Sequence, residues 1–319
     1  MLRFLVRRTL LGVFVLWVIT VLTFTLFYVA PNNVAQTLAG RQATPQVVAA
    51  ISKRLGLDQP LWKQYVDFVW HALHGNLGYD YYYQLPVTHI IATALPVTLS
   101  LVLGAAVIWL LLGVTNGVLS AVYPRSLVDR GLTTFAIFFY SFPSFVLGLV
   151  LLYFLYYRLT LSGFDWFPPG SYAPLSAGVG PWLQHMILPW ITLALVLAAT
   201  YTRLTRGSML AVLGEDYIRT ARSKGISESR VVLRHGLRSA LTPVVTQFGI
   251  DLGQLIGGVV VTETVFSLPG IGKTNIDALT RQDLPVIVGT VMLASAAVVV
   301  ANILVDVGYA FLDPRVRLH

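Results

Sequence analysis

Three groups of residues in this 319-residue chain have types and spacing that could do chemistry. The first is Asp251, set in an otherwise apolar run from Ser239 to about Thr262. On a helix, Gln247, Asp251 and Gln254 stand at i, i+4 and i+7 and form one polar stripe. A carboxylate at membrane depth is costly against lipid and faces a cavity or a partner. The stripe therefore either lines a path for a solute or supplies a buried hydrogen bond that fixes helix packing. The second group is a basic segment, Arg203 to Arg238, described below. The third is His71 and His74, one turn apart. A metal site needs further ligands, and no carboxylate or third histidine stands at ligand spacing, so this reads as a surface pair.

Other chemistries are excluded by what is missing. The sequence has no cysteine, so it holds neither a disulfide nor a thiolate ligand nor a cysteine nucleophile. Gly270-Ile271-Gly272-Lys273-Thr274 ends like a phosphate-binding loop but lacks its glycine spacing, and no G-x-x-x-x-G-K-[ST] run occurs elsewhere. No cofactor site is expected in this chain. Neither a Ser/His pair nor a second mid-span carboxylate accompanies Asp251, so an intramembrane enzyme is not expected.

The elements that must position these residues are membrane helices. Hydrophobic residues make up 56% of the chain and charged residues only 11%, against about a quarter charged in a soluble domain. Charge-free runs cover Thr9 to Gly40, Pro86 to Pro124, Gly131 to Tyr157, Phe167 to Thr202 and Leu284 to Val305. Each exceeds the about 20 residues that a spanning helix needs. The expected fold is all-α, with six spans: Thr9 to Ala30, Thr93 to Val122, Leu132 to Tyr157, Leu183 to Thr202, Ser239 to Thr262 and Leu284 to Leu312. The first is too long an apolar run for a signal peptide and is expected to be retained. The corresponding organisation is residues 1–30 (first span), 31–92 (an external helical segment), 93–312 (the five-span core) and 313–319 (a tail).

Six spans place both termini on one side. Of the 22 basic residues, 15 fall on segments sharing a side with the N-terminus and 7 on the opposite side. By the positive-inside rule both termini are cytoplasmic. The net charge of +8 is thus a topological signal. Without a dense basic tract interleaved with aromatics, nucleic acid is not an expected partner.

Between spans one and two, Thr44 and Pro45 start a helix that Gly56 can end. A second runs from near Pro60 to near Gly75 and carries Trp62, Tyr65, Phe68 and Trp70, as suits the membrane interface. The cytoplasmic segment 203–238 holds eight basic residues. Glu215 and Asp216 open a helix through Tyr217, and Arg219, Arg222 and Lys224 close it, each charge matching the helix dipole. Gly225 stands where a left-handed stop is needed, and Ser227 can cap the next helix. Such a loop either rests on anionic lipid headgroups or docks a cytoplasmic partner. In the fifth span, Gly249, Gly253 and Gly257 form a second stripe, suited to close packing against another helix. Pro96, Pro143, Pro189 and Pro243 lie in or beside spans, where they kink or end helices.

Arg219-Thr220-Ala221-Arg222-Ser223-Lys224-Gly225, followed by Ala240-Leu241-Thr242-Pro243, resembles the EAA loop of ABC importer permeases. Arg219 and Thr220 replace the first Glu and Ala of the general pattern, a departure similar to the peptide/nickel branch. Arg54-Leu55-Gly56-Leu57-Asp58-Gln59-Pro60, Gln64-Tyr65 and Gly75-Asn76-Leu77-Gly78 resemble that branch's external region. Glu263-Thr264-Val265-Phe266-Ser267-Leu268-Pro269-Gly270-Ile271-Gly272 and Asp313-Pro314-Arg315 resemble its later motifs.

The resemblance implies a type I importer permease of the dipeptide/oligopeptide/nickel family, located in the cytoplasmic (inner) membrane. It implies a second homologous permease subunit and two ATP-binding subunits holding ATP and Mg. An extracytoplasmic binding protein would deliver a peptide. Residues 215–225 would couple ATP hydrolysis to the spans, with Gly225 as the joint. Nickel, glutathione or another small solute is the alternative cargo. The absence of Cys and the presence of only 4 Met lean away from a soft-metal route. An autonomous channel or secondary transporter is the contrasting class. It would give the basic loop no role, and secondary transporters commonly show two matching halves, which this sequence lacks.

Overall fold

The computed structural model describes residues 2–26, 35–36, 43–54, 56–256 and 259–312. Among these residues the chain is helical, with an isolated bridge between Tyr79 and Pro86 as its only extended pairing. In chain order the helices are α1 (Leu2–Phe24), α2 (Pro45–Arg54), α3 (Leu61–Leu73), α4 (Val87–Val122) and α5 (Leu127–Tyr140). Next come α6 (Ser144–Leu161, with a wide turn over Leu152–Arg158), α7 (Val179–Leu213) and α8 (Asp216–Ser223). Glu228–Arg230, Val231–Gly236 and Leu237–Ala240 form one continuous rod, α9. It is followed by α10 (Thr242–Ile256), α11 (Val260–Val265), α12 (Ile271–Arg281) and α13 (Leu284–Leu312).

Among the described residues, five helices are long and apolar enough to cross a membrane: α1, α4, α6, α7 and α13. The apolar run expected as a fifth span is divided into α10, of 15 residues, and the short α11. The third expected span is also divided. The chain leaves helix at Ser141 and re-enters after Pro143, which lacks the N–H that would continue the ladder. By contrast, Pro96 and Pro189 sit inside unbroken helices.

The core is the contact between α4 and α7. At about 1.5 Å per residue, helices of 36 and 35 residues reach about 53 Å, well beyond a hydrocarbon layer of about 30 Å. Three glycines of α4 let them touch. A Cβ on Gly104 would lie 2.1 Å from the Trp190 ring, one on Gly113 2.4 Å from Tyr201 Cβ, and one on Gly117 2.5 Å from Thr205 Cβ. The partner numbers rise with the glycine numbers, so α4 and α7 run parallel. Parallel neighbours need a connection that crosses back, and α6 is the long apolar helix between them. Trp190 Nε1 also donates to the Ser100 carbonyl at 2.8 Å. Trp109, Met186 and Tyr201 fill the centre and are fully buried.

A second buried corner sits where α11 meets α12. Glu263 is fully buried there and accepts from the Thr98 hydroxyl at 2.6 Å and from the Lys273 N–H at 2.9 Å. The same Thr98 oxygen accepts the Ile271 N–H at 2.9 Å. The carboxylate thus satisfies unpaired donors at the start of α12 and sits at its positive end. It passes so close to Gly270 that a Cβ there would stand 2.3 Å from the carboxyl. This explains the Glu263 to Gly272 motif as packing chemistry.

Elsewhere, α3 lays Tyr65 and Phe68 against Phe24 of α1, at 5.4 and 5.9 Å between ring centres. The Tyr65 hydroxyl hydrogen-bonds Thr20 at 2.8 Å. Trp62, Val66, Trp70 and Leu73 point outward.

Candidate functional site

The basic segment folds as two short rods joined at Gly225. Glu215 precedes the first residue of α8 and Asp216 lies in its first turn, each carboxylate at the positive helix end. Ile218 and Ala221 are buried and pack with Val231, Val212, Leu213 and Ile226. That apolar contact seats α8 on the end of α7 and the start of α9. Ala221 is therefore buried on the face of α8 that packs against the chain's own helices. Glu215, Asp216, Tyr217, Arg219, Thr220, Arg222, Lys224 and Gly225 are exposed.

Charges within the loop are partly spoken for. Arg222 holds Glu228 through two bonds, 2.7 Å and 3.1 Å, which tie α8 to α9. The guanidinium keeps the Glu228 carboxyl below its ordinary value. Arg219 lies 3.6 Å from Asp216 on the open surface, and the Tyr217 hydroxyl donates to Ser239 Oγ at 3.1 Å. Gly225 has φ of +74°, a left-handed turn that costs other residues about 1–2 kcal/mol. A Cβ there would meet nothing within 4 Å, so the position is constrained by its backbone angle and has room for a side chain. Ser227 precedes the next helix, but its side chain makes no capping bond.

Two residues of the polar stripe on α10, Gln247 and Asp251, join a hydrogen-bond cluster, and Gln254 stands outside it. Gln247 Nε2 donates to Asp251 Oδ1 at 2.8 Å, and the Tyr201 hydroxyl donates to Asp251 Oδ2 at 2.8 Å. Asp251 and Gln247 are half-buried, Gln254 is exposed and Tyr201 is buried. Sequence reasoning missed Tyr201, which lies on α7, 50 residues away. Its signal was present as the one tyrosine of α7. Gly249 and Gly253 are buried. A Cβ on Gly253 would stand 3.1 Å from Ala301 Cβ on α13. Gly257 lies outside the described residues.

A second polar knot was not foreseen. Asp129, buried at the start of α5, accepts both Arg206 Nε and Arg206 Nη2 at 2.8 Å. It also accepts the Ser120 hydroxyl and, at 2.8 Å, the Arg125 N–H. The Arg206 hydrogen bonds hold its carboxyl well below the usual range. The knot ties α4, α5 and α7 together at the end of α7 from which α8 hangs.

His71 and His74 each hold ring Nδ1 against a carbonyl of their own helix, that of Asp67 at 2.7 Å and that of Trp70 at 2.8 Å.

The sequence matches the family described as binding-protein-dependent transport system inner membrane component over residues 113–318. It matches that system's N-terminal membrane component over residues 1–103. It is 40% identical over 314 residues to a probable peptide ABC transporter permease protein of Sinorhizobium fredii, covering 98% of this chain and 99% of that one. It is 40% identical over 338 residues to a di/tripeptide transport system permease protein of Pseudomonas aeruginosa, covering 99% of each. A glutathione transport system permease protein of Escherichia coli is 38% identical over 317 residues, again 99% of each. A helical membrane core, an exposed rod seated on the end of α7 and the start of α9 and a full-length match lead to one conclusion: the chain belongs to the family of binding-protein-dependent transport system inner membrane components, the permeases of ABC transporters.

Proposed function

We propose that this chain is half of the translocation pathway of an ABC importer for di- and oligopeptides. In this reading it sits in the cytoplasmic membrane with six spans, α10 with α11 counted as the fifth. Both termini are cytoplasmic, and residues 31–92 form an extracytoplasmic helical segment. A second, homologous permease supplies the other half. Two ATP-binding subunits, carrying ATP and Mg, dock on α8, and an extracytoplasmic binding protein delivers the peptide. The observation that carries the reading is α8 itself. It is a short rod seated by Ile218 and Ala221 on the long helix α7, with its polar residues turned outward. Such a rod transmits a push, because α7 continues through the membrane core and the Arg222–Glu228 pair stiffens the joint. The relatives named for peptides and for glutathione, itself a tripeptide, support a peptide backbone as the recognised chemistry.

Movement of α8 would displace α7 and, through Tyr201, the Asp251 cluster on α10. That makes Asp251 the first pathway residue reached by the coupling motion. Replacing Asp251 by Ala is expected to lower uptake of a labelled dipeptide at least about tenfold, a loss near 1.4 kcal/mol. Tyr201→Phe removes one of its two donors and is expected to give a smaller loss. Both variants should still assemble, as judged by gel filtration in detergent. Unchanged uptake in Asp251→Ala would exclude the pathway role. Uptake of an inorganic cation in place of the dipeptide by the wild-type complex would exclude the peptide reading.

A further inference from the structure

The loop between α3 and α4 contains a run of tyrosines, and their exposure is unusual for so large a set of apolar rings. Tyr79, Tyr82 and Tyr83 are all more than half exposed. The loop is nevertheless held in one shape. Asp80 N–H donates to the Leu85 carbonyl at 2.9 Å, and the Gln84 N–H donates to the Asp80 carbonyl at 3.1 Å. The Tyr82 hydroxyl donates to the Arg281 carbonyl at 2.5 Å. Beneath the rings lie two carboxyl groups that belong to different parts of the chain. Asp80 is 4% exposed and accepts the Tyr83 N–H. Asp283, at the corner between α12 and α13, is 2% exposed and accepts the Tyr81 N–H through Oδ2 at 3.2 Å.

The other Asp283 oxygen, Oδ1, is buried without a conventional donor. Asp80 and Asp283 line the same cavity and are held side by side by amides only two residues apart, those of Tyr83 and Tyr81. Two buried carboxylates cannot both stay ionised at that separation, but a carboxylic acid and a carboxylate make a strong hydrogen bond. We propose that Asp80 and Asp283 share a single proton and form a pH-sensitive clasp that holds the tyrosine loop against the α12–α13 corner. The pair borders a cavity of about 200 Å3. Its other charged groups are Asp277 and Arg281 of α12, and the loop adds the Tyr83 hydroxyl. The walls from α4 and α13 are apolar, Ile90 and Val286. Arg281 lies over the Tyr83 ring at 5.5 Å and donates to its hydroxyl at 3.2 Å, so its charge reaches the acids without an ion pair to either of them.

The pH dependence has a definite sign. Burial, and then the neighbouring Asp80, push the Asp283 carboxyl from 3.8 up to about 7. For Asp80, burial opposes the charge. The hydrogen bond to Asp283, the Tyr83 and Tyr82 amides and the Arg281 charge outweigh it and hold the carboxyl below 3.8. With the loop open, both acids lie near their ordinary value. Between that value and about 7 the closed loop retains a proton that the open loop has released to water, so closure weakens as pH rises through this window. Below it, closure weakens as Asp80 in turn becomes protonated. The clasp is tightest near the ordinary carboxyl value, where these two windows meet.

The side on which this pH is sensed rests on the membrane topology proposed above, whereas the clasp itself does not. The test is hydrogen exchange of the peptide spanning residues 78–86 in the intact purified protein, corrected for intrinsic rates. Going from pH 5.5 to 8.5, the wild type is expected to lose about ten- to thirtyfold in protection. In Asp283→Asn the amide keeps the Tyr81 bond and donates to Asp80 at every pH, so the pH dependence should vanish with protection retained. Asp283→Ala should be unprotected at both pH values. Equal wild-type protection at both, or an unaltered pH dependence in Asp283→Asn, would overturn the clasp. So would protection that follows added sodium or calcium in place of pH, which would put a metal cation between the acids. Transport does not enter the readout, so this result is independent of the importer reading.

Discussion

Gly117→Leu is expected to abolish recovery of folded protein. A Cβ at this position would meet Thr205 Cβ at 2.5 Å, the Thr202 carbonyl at 2.8 Å and the Arg206 nitrogen at 3.0 Å. Two of these three neighbours are backbone atoms of α7, which cannot turn aside as a side-chain tip can. The helices must separate, and their separation also loosens the contacts at Gly113 and Gly104, which lie along the same parallel seam. Overpacking commonly costs about 1–3 kcal/mol, and a clash of this kind with rigid backbone belongs at the upper end or beyond. Fluorescence-detected gel filtration in detergent should show the monodisperse peak lost. Gly131→Ala is the control: a Cβ there meets nothing within 4 Å, and its peak should match the wild type. A normal peak from Gly117→Leu would mean that α4 and α7 do not pack as described.

The Arg206–Asp129 knot should give the second large effect. Arg206→Ala removes a bidentate partner and leaves Asp129 buried with only the Ser120 and Thr133 hydroxyls and the Arg125 N–H as donors. Breaking one side of a buried ion pair costs about 3–5 kcal/mol. Arg206 is about one-third exposed, so the lower end of that range, about 3 kcal/mol, is expected. Thermal unfolding of the detergent-solubilised protein would measure it. Arg206→Lys should recover part of the loss, since a lysine keeps the charge but not the paired geometry. Because the Asp129 carboxyl is held below its ordinary 3.8, its contribution is complete above that value. It is lost as pH falls through the lower value of the folded state. The wild-type excess over Arg206→Ala should therefore be flat from pH 5 to 8 and shrink on further acidification. A variant as stable as the wild type would show that the knot does not anchor this end of α7.

These two sites mark what could and could not be read from the sequence. Helix class and membrane character followed from uninterrupted apolar runs, because burying a backbone in lipid forces it to satisfy itself locally. The left-handed turn at Gly225 and the helix start at Asp216 were also legible, since caps and turns are set by neighbouring residues. The break at Phe142 was marked by Pro143, whereas the interruption before α11 was not marked. An apolar run has the same composition whether its helix continues or is interrupted. Asp251 could be singled out alone, but its partner Tyr201 could not, and Asp129 meets Arg206 across 77 residues. Such pairs exist only because α4 and α7 run side by side, and no local periodicity encodes which charges that brings together. Within α8, the resemblance to the EAA loop grouped Ala221 with its polar neighbours, whereas packing turns it inward beside Ile218.

The central claim is that α8 docks ATP-hydrolysing subunits and drives the spans through α7. The most direct measurement is affinity purification of the tagged chain from its native membrane in mild detergent, with mass identification of what accompanies it, for the wild type and for Arg219→Glu. Arg219 is exposed and has only the solvent-facing Asp216 pair to lose, so this variant should fold and insert normally. The wild type is expected to bring down a second permease and subunits with a phosphate-binding loop, whereas Arg219→Glu should retain the permease and lose most of the ATPases. A wild-type chain that purifies alone, stable and without any ATPase, would contradict the account.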